Sequence, residues 1–146
     1  MPEKETLRRA RADKRAGKSP STQAGEFVRE EMHHVREGKH GARSTKQAIA
    51  IGLSKARRSG VKLAPPRGAK ASTRRSAAAA TRASRKRSRP SATRSRGVRR
   101  ALKRESHRAA SRKALSRHAK AAARRRSAAS RSASARKAAR TRRQHA

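Results

Sequence analysis

From residue 65 to residue 146 the chain carries 29 Lys and Arg side chains against one acid, Glu105, whereas residues 1–64 carry 16 and 7. Charge of one sign at that density repels itself and opposes compaction. Only 32% of the residues are hydrophobic, many of them Ala, so little apolar surface offsets the entropy lost on ordering. The composition therefore predicts a basic tail over 65–146 that is disordered alone and conditionally helical. Ala and Arg are good helix formers, and like-charge repulsion is what opposes coiling. Phosphates remove that repulsion, so helix is expected on binding, chiefly over 97–126. Pro65-Pro66 marks the break between this tail and a mixed-charge region before it.

Upstream, residues 1–18 read as a charged arm, helical from about Glu3 to Ala16, with Leu7 its one sizeable apolar group and no face to bury. From Ser19 the pattern changes. Ser19-Pro20-Ser21-Thr22 supplies hydroxyl caps and a proline suited to a first helical turn, and Ala24, Phe27, Val28, Met32 and Val35 recur at helical spacing up to a stop at Gly38. Ser44-Thr45-Lys46-Gln47 fits a capping box that opens a second helix. Ala48, Ile49, Gly52, Leu53 and Ala56 line its inner side, and Gly60 ends it. Val61 and Leu63 then fold back as a cover. The expected fold class is all-α: a helix–turn–helix hairpin module over 19–64 between the arm and the long tail. So few apolar side chains leave an isolated hairpin marginal, so a homodimer through the module, or a ligand, is expected to complete its burial.

Several function classes are excluded by what the chain lacks. With one Phe and no Trp or Tyr, it has no aromatic platform on which to stack unpaired bases. Without Cys there is neither a disulfide framework nor a thiolate metal site. No apolar run approaches a membrane span or a secretory signal. The one Asp is Asp13, and no Ser, His and carboxylate share a scaffold, so the chain reads as a non-enzyme without a small-molecule substrate or cofactor. Glu30, His33, His34 and Glu37 fall within two turns of one helix. They read as a hydrated surface cluster with no metal, because a buried di-metal bundle needs further inward carboxylates that the chain does not offer. His107, His118 and His145 add conditional charge at acidic pH.

The stretch KSPSTQAGEFVREEMHHVREGKHGARSTKQAIAIGLSKARRSGVKL (18–63) resembles a module of small, basic, functionally uncharacterised bacterial proteins, in which a similar helix pair precedes an Ala/Lys/Arg tail. Separately, the tail resembles those of linker-histone-like bacterial nucleoid proteins, and that resemblance implies DNA condensation. It departs from them in holding 23 Arg to 6 Lys, which leaves an RNA-binding or protamine-like role open.

Phosphate binding is the chemistry this composition fits. Within the module the candidate contacts are Lys39, Arg43, Lys46, Arg57, Arg58 and Lys62. In the tail they are Arg74, Arg75, Arg85, Lys86, Arg87, Arg99, Arg100, Lys103, Arg104, Arg112, Lys113, Arg124, Arg125, Arg126, Arg142 and Arg143. The glycine-bearing loop 38–46 reads either as a phosphate cradle at the start of the second helix or as a plain turn; the missing GxxxxGK[ST] spacing argues against nucleotide hydrolysis, and the plain turn is favoured because a helix stop at Gly38 and a turn at Gly41 account for its glycines. The expected function is sequence-nonspecific DNA binding and compaction in the cytoplasm, at the nucleoid, with DNA favoured over RNA. The alternatives are an RNA-binding or ribosome-associated chaperone, and an adaptor that docks through the module with its tail on an acidic partner. A membrane is disfavoured because the tail lacks an apolar face.

Overall fold

The computed structural model describes residues 1–85 and 91–144, and among these the protein is all-helical. Helices run α1 (Lys4–Arg15), α2 (Pro20–Arg36), α3 (Thr45–Arg58), α4 (Ala71–Arg85), α5 (Ala92–Lys103), a 3-10 turn at His107–Ala110, α6 (Arg112–Arg124) and α7 (Ala128–Gln144). They divide into two compact units, Met1–Ser111 and Arg112–Ala146.

Local chemistry fixes the hairpin of the first unit. The Ser19 hydroxyl accepts from the Thr22 amide with Pro20 in the first turn, and the Ser44 hydroxyl accepts from the Gln47 amide at 3.2 Å. The Gln47 side chain reaches one residue further back than a capping box requires, and its Oε1 accepts from the Arg43 amide at 2.7 Å. Gly38 and Gly60 end the two helices at φ 74° and 92°, left-handed values that favour glycine.

Between α2 and α3 the packing is close. Phe27, at 1% exposure, and Val35 are fully buried on α2, facing Ala48, Gly52 and Ala56 on α3. A Cβ at Gly52 would lie 2.7 Å from the Val28 Cα, so the small residue lets one backbone approach the other. Ala10, Ala24, Phe27, Ala56 and Val61 form the core, with Leu7, Leu53 and Leu63 packed against it. Val61 is fixed by its amide, which donates to the Ala56 carbonyl at 3.1 Å.

Two expectations are corrected here. The N-terminal arm does bury a face: α1 packs on α2, enclosing Thr6 and Ala10 and contributing Leu7 to the core. Its apolar stripe escapes notice because it consists of one Leu, one Ala and a Thr methyl among charges. The tail, expected to be disordered alone, is helical through α4, α5, α6 and α7. Ala-rich propensity, together with hydroxyl caps from Ser91 to the Arg94 amide and Ser127 to the Ser130 amide, supports these helices. Repulsion between neighbouring cations opposes each pair by only about 0.2–0.5 kcal/mol. Helix α4 is held by packing as well, since it lies against α3 and buries Ala77 and Ala80.

Part of the hairpin's cover comes from the same chain. Besides α1 and α4, the segment 102–110 docks across the α2–α3 turn. The Gly41 and Ala42 amides donate to the Leu102 and Ser106 carbonyls at 2.9 and 3.1 Å. The Thr45 hydroxyl donates to the Ala109 carbonyl at 2.6 Å, and Arg36 Nε donates to that of Ala110 at 2.9 Å. Ala109 and Ala110 are buried as a result. Gly41 admits this approach, because a Cβ there would overlap the Glu105 backbone carbonyl.

In the second unit α6 half-buries Ala114, Leu115 and His118 along one stripe, and α7 buries no residue. Arg126 bridges the start of α7 by hydrogen bonds to Ser130 and Ser134, while Arg131 donates to the Arg126 carbonyl at 2.9 Å.

Candidate functional site

The helical repeat sorts the cations into faces. On α4, Arg74, Arg82 and Arg85 stand on the side away from buried Ala80 and, with Lys62 from the chain after α3, border a cleft of about 490 Å³ floored by Leu63, Ala77, Ala78 and Thr81. On α6, Arg117, Lys120, Arg124 and Arg125 surround a shallower recess of about 390 Å³ over Ala121. A third basic face on α1 consists of Lys4, Arg8, Arg11 and Arg15 around Leu7. In each, Lys and Arg stems line an apolar floor and leave the charged ends at the rim, the disposition that long cationic side chains favour.

Of the residues singled out from sequence, the structure brings Lys62, Arg74 and Arg85 to one cleft, and Arg124 and Arg125 to another. Arg43, Lys46, Arg58, Arg75, Arg99, Arg100, Lys103, Arg104, Arg112, Lys113, Arg126, Arg142 and Arg143 are exposed on their own elements. Lys86 and Arg87, like His145, lie outside the described residues. Arg82, Arg117, Lys120 and the α1 cations escaped the sequence reading. Their signal was present as helical spacing from Arg74 through Arg82 to Arg85, and from Arg117 through Lys120 to Arg124.

Two of the proposed contacts have other partners. Arg57 is buried at 8% exposure, its Nε donates to the Leu63 carbonyl at 3.0 Å, and burial lowers its pKa. Lys39 lies 3.1 Å from both Glu3 and Glu37, whose hydrogen bonds raise its pKa. Nor are the amides of loop 38–46 arranged as a phosphate cradle. Those of Gly41, Ala42 and Arg43 are hydrogen-bonded to Leu102, Ser106 and Gln47, so the turn serves docking of segment 102–110.

The eight acids of the chain are used differently from the cations. Among the described residues, every ion pair lies between Glu3 and Lys55, and none reaches into the Arg-rich part. The expected surface cluster of Glu30, His33, His34 and Glu37 is split: His33 and Glu37 are exposed, whereas Glu30 is buried and His34 half-buried. Glu31, unnoticed in the sequence, is wholly buried beside Glu30, and Lys55 Nζ lies 3.2 Å from Glu30 and 2.6 Å from Glu31. Burial pushes the Glu30 carboxyl up, but the Glu3 amide at 3.0 Å and the Lys55 ammonium outweigh it and hold its pKa below the usual carboxylate value. Glu3 itself is lowered to about 2, first by its hydrogen bond from His34 and then by Lys39.

The model of a family of unknown function (DUF6496) matches residues 11–68, a stretch containing α2, α3 and part of α1. No curated protein and no solved structure matches the chain.

Proposed function

We propose that this protein binds nucleic acid through phosphate neutralisation and compacts DNA without reading its sequence, as a nucleoid-associated protein. The observation that carries the reading is the separation of charges: the acids before Glu105 pair within the first 55 residues, and among the described residues every Lys and Arg from Arg58 onward stands exposed. Cations already paired with carboxylates displace no counterions from a duplex. Exposed, unpaired ones do, and counterion release drives such binding. The helical faces of α4 and α6 offer rows of guanidinium groups suited to bidentate phosphate contact. Phosphate contact also relieves the repulsion along these helices, so the basic helices are stabilised on the nucleic acid. The tail's resemblance to linker-histone-like proteins favours DNA, while its 23 Arg to 6 Lys favour structured RNA as the second reading.

The test compares two sets of variants in the full chain by fluorescence anisotropy against a duplex of arbitrary sequence. Replacing Arg74, Arg82 and Arg85 with Gln is expected to weaken binding and reduce the magnitude of the slope of log K against log salt by about 0.9 for each phosphate no longer neutralised. Lys39→Gln, which removes an acid-paired cation, is expected to leave the slope nearly unchanged. Equal effects from both would contradict the separation. Tighter binding of structured RNA than of duplex DNA in the same assay would transfer the role to RNA.

A further inference from the structure

We propose that Glu31, His34 and His40 form a binding site for a divalent transition metal, with Zn²⁺ as its natural occupant. One donor atom from each of the three lies within 4.8 Å of the others. Two imidazoles and a carboxylate are the ligand types of three-coordinate protein sites that keep a fourth position for water.

Glu31 supplies an observation independent of that proximity. It is fully buried, and neither carboxylate oxygen has a hydrogen-bond partner. Oε2 is ion-paired with Lys55 at 2.6 Å, and Oε1 faces His40 Nε2 at 3.2 Å without a hydrogen bond. A buried carboxylate in that condition is costly, and a cation bound at Oε1 satisfies it while Oε2 stays with Lys55.

The two histidines are oriented from behind. His40 Nδ1 lies 3.0 Å from the Gly41 carbonyl; donating there leaves Nε2, the nitrogen facing Glu31, with its lone pair. His34 Nε2 lies 2.8 Å from Glu3 Oε1, and donation to that carboxylate leaves Nδ1, 4.0 Å from Glu30 Oε1, as the lone-pair nitrogen. A backbone carbonyl behind one imidazole and a carboxylate behind the other is the outer support that metal-binding histidines use. The rings meet edge to face with centroids 6.1 Å apart, and tetrahedral bonds of 2.0–2.1 Å require the donors to close to about 3.3 Å of one another when the ion binds.

Charge favours the site despite a net charge of +37. Glu3, Glu30 and Glu31 converge on this corner and outnumber Lys39 and Lys55 by one, and Glu37 adds a further carboxylate beside Lys39. The ion would tie α2 to the turn that receives segment 102–110, giving that turn an anchor besides its hydrogen bonds.

The experiment uses the full chain, stripped with a chelator and titrated with Zn²⁺ by calorimetry and with Co²⁺ by visible absorption. The expected result is one equivalent of each, with the intense visible absorption of four-coordinate Co²⁺. His40→Ala and Glu31→Gln should abolish that absorption and weaken Zn²⁺ binding by at least about 100-fold. His118→Ala, in the second unit, should change neither. Wild-type protein without a four-coordinate Co²⁺ spectrum would overturn the site whatever the variants do. So would a spectrum that survives His40→Ala, or one abolished equally in His118→Ala.

Discussion

At Gly52 two rules of residue-level energetics point in opposite directions. Glycine in a helix interior is less favourable than alanine by about 1 kcal/mol, so helix propensity alone makes Gly52→Ala stabilising. The close approach to the Val28 backbone opposes this, because backbone cannot turn aside as a flexible side chain does. Overpacking of that kind costs about 1–3 kcal/mol, so net destabilisation is expected, seen as a lower urea midpoint by circular dichroism with an unchanged m value. A raised midpoint would mean that α2 and α3 do not cross so closely. The residues legible from sequence were those with a local signature: the Ser19 and Ser44 caps, the helix-ending glycines, and the buried Phe27 and Val35. Glu31 was not. A carboxylate on a helix otherwise rich in charge reads as solvated until Lys55 and His40, from other elements, are seen to close over it.

Among elements, the hairpin was legible because α2 and α3 are neighbours in sequence whose apolar spacing repeats at helical period. The docking of segment 102–110 was not legible. Thr45 and Ala109 stand 64 residues apart, and three of the four hydrogen-bond acceptors on the segment belong to residues, Leu102, Ala109 and Ala110, whose side chains take no part in those bonds. Helix α1 was recognised as helical, but its docking face is too small for a periodicity argument. These hydrogen bonds distinguish two truncations on either side of the segment. A fragment ending at residue 111 retains the whole first unit and should unfold at the temperature of that unit in the full chain. A fragment ending at residue 101 lacks the partners of Gly41, Ala42, Thr45 and Arg36, and at about 0.5–1.5 kcal/mol per hydrogen bond should be less stable by about 2–6 kcal/mol. Equal melting temperatures by circular dichroism would show that the segment adds nothing to the unit.

For the whole molecule, the separation of acids from cations joins the fold to the proposed function. Carboxylates hold the α1–α2–α3 corner together through Lys18, Lys39 and Lys55, and among the described residues the Arg-rich helices beyond carry charge that no ion pair neutralises. The basic character of the tail was legible from composition alone, whereas the faces on which it is displayed required the helices. If those faces take up about 6–10 phosphates, duplex affinity should fall by about 10³–10⁵-fold between 50 and 200 mM salt, with little dependence on sequence. The most direct measurement is a salt titration of the full chain against two unrelated duplexes of equal length. Parallel steep lines are the predicted result, and a shallow slope with strong preference for one duplex would contradict binding by phosphate neutralisation.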